Sequence, residues 1–527
     1  MDAVAVIGAL VALVWGLVIL RYGGLLAGCL AVLLAVACFG VDYFCVRVGG
    51  IPLSIDRLLW LVLCGQYLVF RLFGKTEPKP FSAADAAVLA LVGVMVFSTF
   101  TADWRAANYQ PVAWLIIYYL MPFGVYWVAR QTPWTERSAA MLFWCLAIFG
   151  VYLGATALAE YWQVWWLVYP QYIARTAAEA RLEFIGRARG PLLNPIGNGL
   201  LLATCLAAAL MLWPRLGRPR QAILLPVVLL MLAGVLLTLT RSAWLGGALV
   251  MALVIGLGMP RKWRLPLVAA GALSVLVAIG ANWERLVSFK RDRYLTAEQT
   301  AESVQLRPIL AAVAWRMFLD RPVFGCGYNQ FLREAPKYLA DRDSHLPLEK
   351  ARGYINHNVL LAFLTETGLV GMGLFVALVA LWARRAWLLW SDRSLPLWLR
   401  QTGLLMLACL VAYFANGTFH DVSAIPMANM MLFFLGGITV AAYGQARLHG
   451  TGAYVVSRGG CCQTAVPLPS SLASASFSVR CLLFCSVPTV VRSLASISAR
   501  RSTSAGAGLC GPLAGTELWG PLAGAVR

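Results

Sequence analysis

Three short stretches collect the side chains on which chemistry could be built. Residues 186–199 read GRARGPLLNPIGNG and bring Arg187 and Arg189 up to an Asn194-Pro195 pair. Asn caps helices and Pro fits the first helical position, so a helix should begin there. A helix amino terminus presents unpaired N–H groups and the positive end of a dipole, which suits an anion, and the planar fork of arginine matches phosphate oxygens. The same residues also describe a solvated basic loop beside a well-capped helix. Residues 236–249 read LLTLTRSAWLGGAL, and Arg241 is the only charge in an apolar run from 222 to 259. Arg241 is either a cation displayed to a ligand or an interfacial anchor reaching for lipid phosphate. Residues 354–373 read YINHNVLLAFLTETGLVGMG, where Asn356 and Asn358 bracket His357 ahead of an apolar helix. An imidazole near a helix amino terminus is kept neutral and can take a proton as a general base; the alternative is a polar cap residue without chemistry. Glu366 further along reads as a buried acid hydrogen-bonded to a neighbouring span rather than as a catalyst.

The elements that must position these residues are membrane spans. The chain has 527 residues, 60% of them hydrophobic and only 13% charged, with a mean hydropathy of +0.74. That composition excludes an ordinary soluble domain and predicts an all-α polytopic membrane protein. Apolar runs fall at about 3–20, 23–41, 51–73, 83–100, 111–129, 139–158, 196–213, 222–239, 242–259, 265–281, 359–382, 402–417 and 425–443. A span needs about 20 apolar residues, which gives about 13 spans, or 12 if the first two form one re-entrant element. Lys and Arg gather in short cytoplasmic loops, so Arg215, Arg218 and Arg220 on one side of the Arg241 run, and Arg261, Lys262 and Arg264 on the other, both lie inside. The run between them then turns on the outer face, with Arg241 at the turn. The net charge of +20 is the sum of such loops and no sign of nucleic acid.

On this topology the longer segments 159–195 and 282–357 are external. In the second, Leu306, Ile309, Leu310, Val313 and Met317 recur at helical spacing and predict one amphipathic helix, stopped by Asp320-Arg321-Pro322. GCGYNQF should then turn the chain into a second short helix. His345 in this loop and His420, beside Asp421 at a short external turn, could approach the same site. Most of the thirteen cysteines lie in apolar runs or in the tail and make no disulfide framework. No cluster has metal-ligand spacing, and neither a phosphate-binding glycine loop nor a nucleophile elbow occurs, so neither a metal nor a cofactor is expected. Residues 1–450 therefore read as the membrane domain. Residues 451–527 are a low-complexity tail, either a disordered extension or a mispredicted terminus, to which no function is assigned.

RARGPLLNP, TRSAWLGG, LRPILAAVAWRMFLDRPVFGCGYNQF and INHNVLLAFLTETGLVGMGLF, in that family's order, resemble the O-antigen ligase and O-antigen polymerase superfamily of bacterial membrane glycosyltransferases. The resemblance covers roughly residues 83–443. It implies about 12 transmembrane helices, a large, partly helical periplasmic loop, and a multi-pass location in the bacterial inner membrane with the active site facing the periplasm. It further implies a metal-independent transfer of a glycan from an undecaprenyl-pyrophosphate-linked donor to a glycan or lipid acceptor, with membrane lipid as the other partner. In that scheme Arg241 and Arg189 hold the pyrophosphate, and His357 activates the acceptor hydroxyl. Arg187, Asn194, Arg307 and Arg352 are further substrate-binding candidates. Ligase, polymerase and protein O-glycosylation are not separated by these motifs. The other readings are a membrane transporter, as for relatives described as bicarbonate transporters, and a non-catalytic partner in polysaccharide export.

Overall fold

A computed structural model describes residues 24–48, 51–105, 110–177, 186–258, 297–340 and 346–450, together with Phe184 and isolated positions between 262 and 273. Among them, nine helices are long and apolar enough to cross a membrane. The expected spans at 3–20 and most of 265–281 lie outside the described residues, as do His345 and the tail from 451.

The described residues are almost wholly helical. Helix α1 (Gly24–Cys38) is apolar but shorter than a span. Two short antiparallel strands, Cys45–Val48 and Ile51–Ser54, follow it and pair Val48 with Ile51 at the turn; the sequence reading had no place for them. Helix α2 (Ile55–Leu72) completes this part. The spanning helices are α3 (Ala83–Thr101), α4 (Pro111–Gln131), α5 (Glu136–Tyr161), α6 (Pro195–Arg215), α7 (Arg218–Leu237), α8 (Arg241–Gly258), α10 (Val359–Ser391), α11 (Leu397–Gly417) and α12 (Pro426–Arg447). Between α8 and α10 lies α9 (Ala297–Asp320).

Local chemistry sets the helix starts. Asn194 accepts from the backbone N–H of Ile196 and of Gly197 at 2.9 and 3.1 Å, with Pro195 in the first turn. Asn358 does the same for Leu360 and Leu361 at 2.9 and 3.0 Å, and its amide donates to the Thr418 carbonyl. Each such cap is worth about 1 kcal/mol. Ser82 and Asp85 form a capping box at the start of α3. Asp85 is also paired with Arg130 of α4 at 2.6 Å and accepts from the Tyr126 hydroxyl at 2.7 Å. Both ions of that pair are buried, so loss of either partner would strand a charge at a cost of about 3–5 kcal/mol.

Helix α6 is buried on nearly every face and packs against α5, α7, α8 and α11. Helix α12 is enclosed by α4, α10 and α11. The two packed groups share α11, so one apolar core runs through the bundle. A smaller core forms between α9 and the segments that follow it: Leu306, Ile309, Leu310, Val313 and Met317 are all buried there with Phe331, Leu339 and Leu348. The expected amphipathic helix is thus present, ends at Asp320, and turns its apolar stripe onto protein.

Helix α10 departs from the expected continuous span. At Gly368 the backbone turns to φ 64, ψ −162 and breaks the hydrogen-bond ladder. The loop after α9 fills the break. Cys326 and Gly327 donate to the carbonyls of Thr365 and Glu366 at 2.8 and 3.0 Å, while Leu369 and Val370 donate to those of Pro322 and Val323. A broken helix inside a bundle survives only when its freed backbone groups are paired in this way.

Candidate functional site

The helix ends fix which residues can meet. A side chain at Gly197 would strike Ile425, and one at Gly199 would meet Ala243 and Thr238. Gly246 faces Asn416, and Gly417 faces Val359 and Val422. The starts of α6, α8, α10 and α12 and the end of α11 therefore share one end of the bundle. Arg187, Arg189, Asn194, Arg241, His357, His420 and Asp421 all sit at that end.

Arg241 opens α8 on an exposed position. Its guanidinium has no hydrogen-bond or ion-pair partner among the described residues. The turn before it is tight, with Leu239 at φ 48. Arg187 holds that turn from beneath. It is only 4% exposed, and it donates from Nε to the Thr238 carbonyl at 3.1 Å and from Nη2 to Thr240 Oγ1 at 2.7 Å. The backbone N–H of Ala188 adds a bond to the Leu237 carbonyl at 3.0 Å.

Arg189 occupies a different place from Arg241. Its side chain is buried and donates to the carbonyls of Thr176 and Ile173 at 3.3 and 3.1 Å. Burial pulls its guanidinium below the usual arginine range, and the nearby Glu160 charge opposes that fall. The Glu160 carboxylate accepts the backbone N–H groups of Arg189 and Gly190, both at 2.8 Å. Glu160 was missed by sequence reasoning; its only signal is a lone acid at the end of an apolar run. Asn194 caps α6 as expected, so its oxygen already takes two of the N–H groups that an anion would use.

His357 directly precedes the cap of α10, and the cap itself is Asn358. His357 Nδ1 lies 2.9 Å from the Ile355 carbonyl. A carbonyl only accepts, so the proton sits on Nδ1 and the lone pair on Nε2. Burial is the main cause that lowers the His357 pKa, and the Arg307 charge lowers it further. Arg307 of α9 stacks over the Phe419 ring at 5.7 Å. The His420 ring lies 6.2 Å from that of His357. Arg352 is apart from these: it is exposed and forms a two-pronged pair with Glu349 at 2.9 and 3.0 Å.

A cavity of about 70 Å³ is lined by Ile355 and Asn356, the two residues before His357, while His357 itself is not part of its wall. Glu366 of α10 and Asp421 of the turn after α11 line it together with Tyr118, Tyr119 and Tyr328. The partner of Glu366 is a loop rather than a span, since it accepts the backbone N–H of Asn329 at 3.0 Å. Burial raises Asp421 to about 6 against its hydrogen bonds from Ser423.

A search of the curated proteins finds no match. Residues 226–376 match the family model described as O-antigen ligase. That stretch runs from α7 through Arg241, Arg307, Arg352 and His357 into α10, and over it the chain is similar to the O-antigen ligase family.

Proposed function

We propose that this chain transfers or polymerises a glycan from an undecaprenyl-pyrophosphate-linked donor to a hydroxyl acceptor at the outer face of the bacterial cytoplasmic membrane, without a metal. The family match supports a role in surface polysaccharide assembly in a multi-pass membrane protein. The observation that carries the finer reading is the placement, at one bundle end, of an arginine on a helix's first turn with no partner among the described residues and of an imidazole whose neutral form is favoured.

In this reading Arg241 receives the pyrophosphate and stabilises the charge that grows on it as the glycosyl C1–O bond breaks. His357 takes the acceptor's hydroxyl proton on Nε2 while that oxygen forms the new bond to C1. The proton ends on the imidazole and the electron pair on the departing lipid pyrophosphate. Arg187 and Arg189 spend donors on backbone carbonyls and act on the turn and loop that present Arg241. Burial, with a smaller contribution from the Arg307 charge, favours the neutral form of His357.

The test is transfer by the purified protein in detergent or liposomes, using lipid-pyrophosphate-linked oligosaccharide and a separately labelled acceptor. His357→Ala should lower turnover about 10²- to 10⁴-fold and leave donor binding intact. Equal turnover by wild type and His357→Ala at saturating donor would end the assignment of the base.

A further inference from the structure

The segment that follows α5 presents an uncharged aromatic face at the Arg241–His357 end of the bundle. Residues 161–174 read YWQVWWLVYPQYIA and carry no charge. One side of this stretch is packed: Val168, Tyr172 and Ile173 are buried with Leu193, and Trp165 rests on them. That side also holds the arginine loop. The Tyr172 hydroxyl donates to the Pro191 carbonyl at 2.6 Å, and Arg189 donates to the carbonyls of Ile173 and Thr176. The other side is bare. Trp162 is 65% exposed and Trp166 79%, and Leu167 and Tyr169 are exposed as well. The residues after α1 join this side: Tyr43 and Phe44 are exposed, and the Tyr43 hydroxyl lies 3.1 Å from that of Tyr169. Large rings held outward on a packed base are costly to leave in water, at about 25 cal/mol for each Å² of apolar surface.

We propose that this face, Tyr43 and Phe44 with Trp162, Trp166, Leu167 and Tyr169, is a lipid-docking platform seated in the headgroup layer of the leaflet at that end. Three observations choose lipid as the occupant. The first is continuity. Ile148, Ala155 and Trp162 are exposed and follow one another at two-turn spacing, so Trp162 prolongs the outward stripe of the spanning helix α5. The second is depth. Helix α5 has 26 residues. At 1.5 Å each they reach about 39 Å, which outruns the ~30 Å hydrocarbon core and ends among the headgroups. The third is chemistry. Trp and Tyr favour this layer, where the ring meets hydrocarbon and its N–H or O–H meets headgroups. A docking face for a soluble protein is ringed by polar groups, whereas here an uncharged stretch runs straight on from α5. None of the six residues is a cation, so the seat needs no anionic lipid. Because the packed side of the stretch holds Arg189 and Pro191, the seat fixes their loop relative to the bilayer. The platform does not depend on the transfer reading.

Nitroxide labels on Trp166→Cys and Leu167→Cys test it, in the full chain reconstituted into phosphatidylcholine vesicles with and without phosphatidylglycerol. A label on Lys337→Cys, at an exposed position of the loop after α9, is the reference. Collision with a water-soluble nickel chelate should be at least about threefold lower at 166 and 167 than at 337, and collision with oxygen higher, as for residues about 5–10 Å into the boundary of headgroup and acyl chain. Both vesicle types should give the same result. Nickel access equal to that at 337 would overturn the proposal. So would labels shielded from both reagents, the mark of a covering protein, or shielding that needs phosphatidylglycerol. The native cysteines and tryptophans allow a second reading. The fluorescence removed by Trp162→Phe and Trp166→Phe together should be quenched by phospholipids brominated near the top of the acyl chain and spared by aqueous iodide. Quenching by iodide alone would put the face in water and overturn the platform.

Discussion

A cation on the first turn of a helix is electrostatically misplaced, because the peptide dipoles put positive charge there already. Arg241 holds that position without a partner among the described residues. An anion bound at the turn would relieve both charges at once, and a guanidinium offers two parallel donors to it. Arg241→Lys keeps the charge and loses the fork, so transfer should fall at least about tenfold, and Arg241→Ala about 10²-fold or more. Lipid-pyrophosphate binding should weaken in both; a fully active Arg241→Lys would dismiss the fork. His357 makes a separate prediction through pH. Its pKa is lowered, so the imidazole becomes neutral and competent as pH rises through a value below the usual ~6.5. The acid limb of kcat/KM should therefore lie below that value. Arg307→Gln removes the charge that adds to burial in lowering His357, so the limb should move to higher pH while the plateau is retained. A limb that stays in place would separate Arg307 from the base.

Two elements position these residues, and both involve backbone that is not regular helix. The loop 187–190 is pinned through its own N–H groups by Glu160. Glu160→Gln keeps the size but leaves one acceptor oxygen where there were two, removing a charge-assisted bond worth about 1.5–3 kcal/mol. Arg187 and Arg189 are buried in the native loop, so trypsin should cut after them at least about tenfold faster in this variant, read by mass spectrometry of the new termini. Unchanged cutting would mean that the buried arginines alone hold the loop. The break in α10 is the second element. At Gly368 a side chain would press within 2.6 Å of the Phe324 backbone nitrogen and sit on a left-handed residue. Gly368→Ala should cost at least about 1–3 kcal/mol in strain, seen as a lower Tm in detergent. It should also loosen the 322–327 loop, whose backbone pairs with the break. Neither element was legible in the sequence. The helical period of 359–373 is unbroken as a pattern, and Gly368 reads like any other glycine in a membrane span. The break exists only because another segment supplies the bonds. The caps Asn194 and Asn358 were readable, at least as Asn before a helix, since capping is settled within a few residues. Arg189 was readable as a residue of interest but not as a buried one, because its partners Ile173, Thr176 and Glu160 come from outside its own stretch.

Over the whole molecule, helix direction alternates in step with the charges of the connecting loops. Helices α3, α5, α7 and α11 end at the Arg241–His357 end, and α4, α6, α8, α10 and α12 begin there. The opposite end carries Lys79, Arg130, Arg215, Arg218 and Arg393, and some of them are tied down, as Lys79 is to the Thr132 carbonyl at 2.6 Å and Arg215 to Gln401 at 2.8 Å. This is why the described spans from 83 onward could be read from hydropathy and basic loops alone: both signals are local and repeat with every crossing. The strands at 45–54 carry no such signal within an apolar stretch. The positive-inside rule predicts the basic end in the cytoplasm and the site outside. In a background without the thirteen native cysteines, single cysteines at Arg241, Arg333 and His420 should react with a membrane-impermeant maleimide on intact spheroplasts. Cysteines at Arg218, Lys262 and Arg393 should react only after the membrane is opened. Labelling at Arg218 or Lys262 from outside would invert the central helix pair, carry Arg241 to the cytoplasmic face, and remove it from any lipid-linked donor presented on the other side.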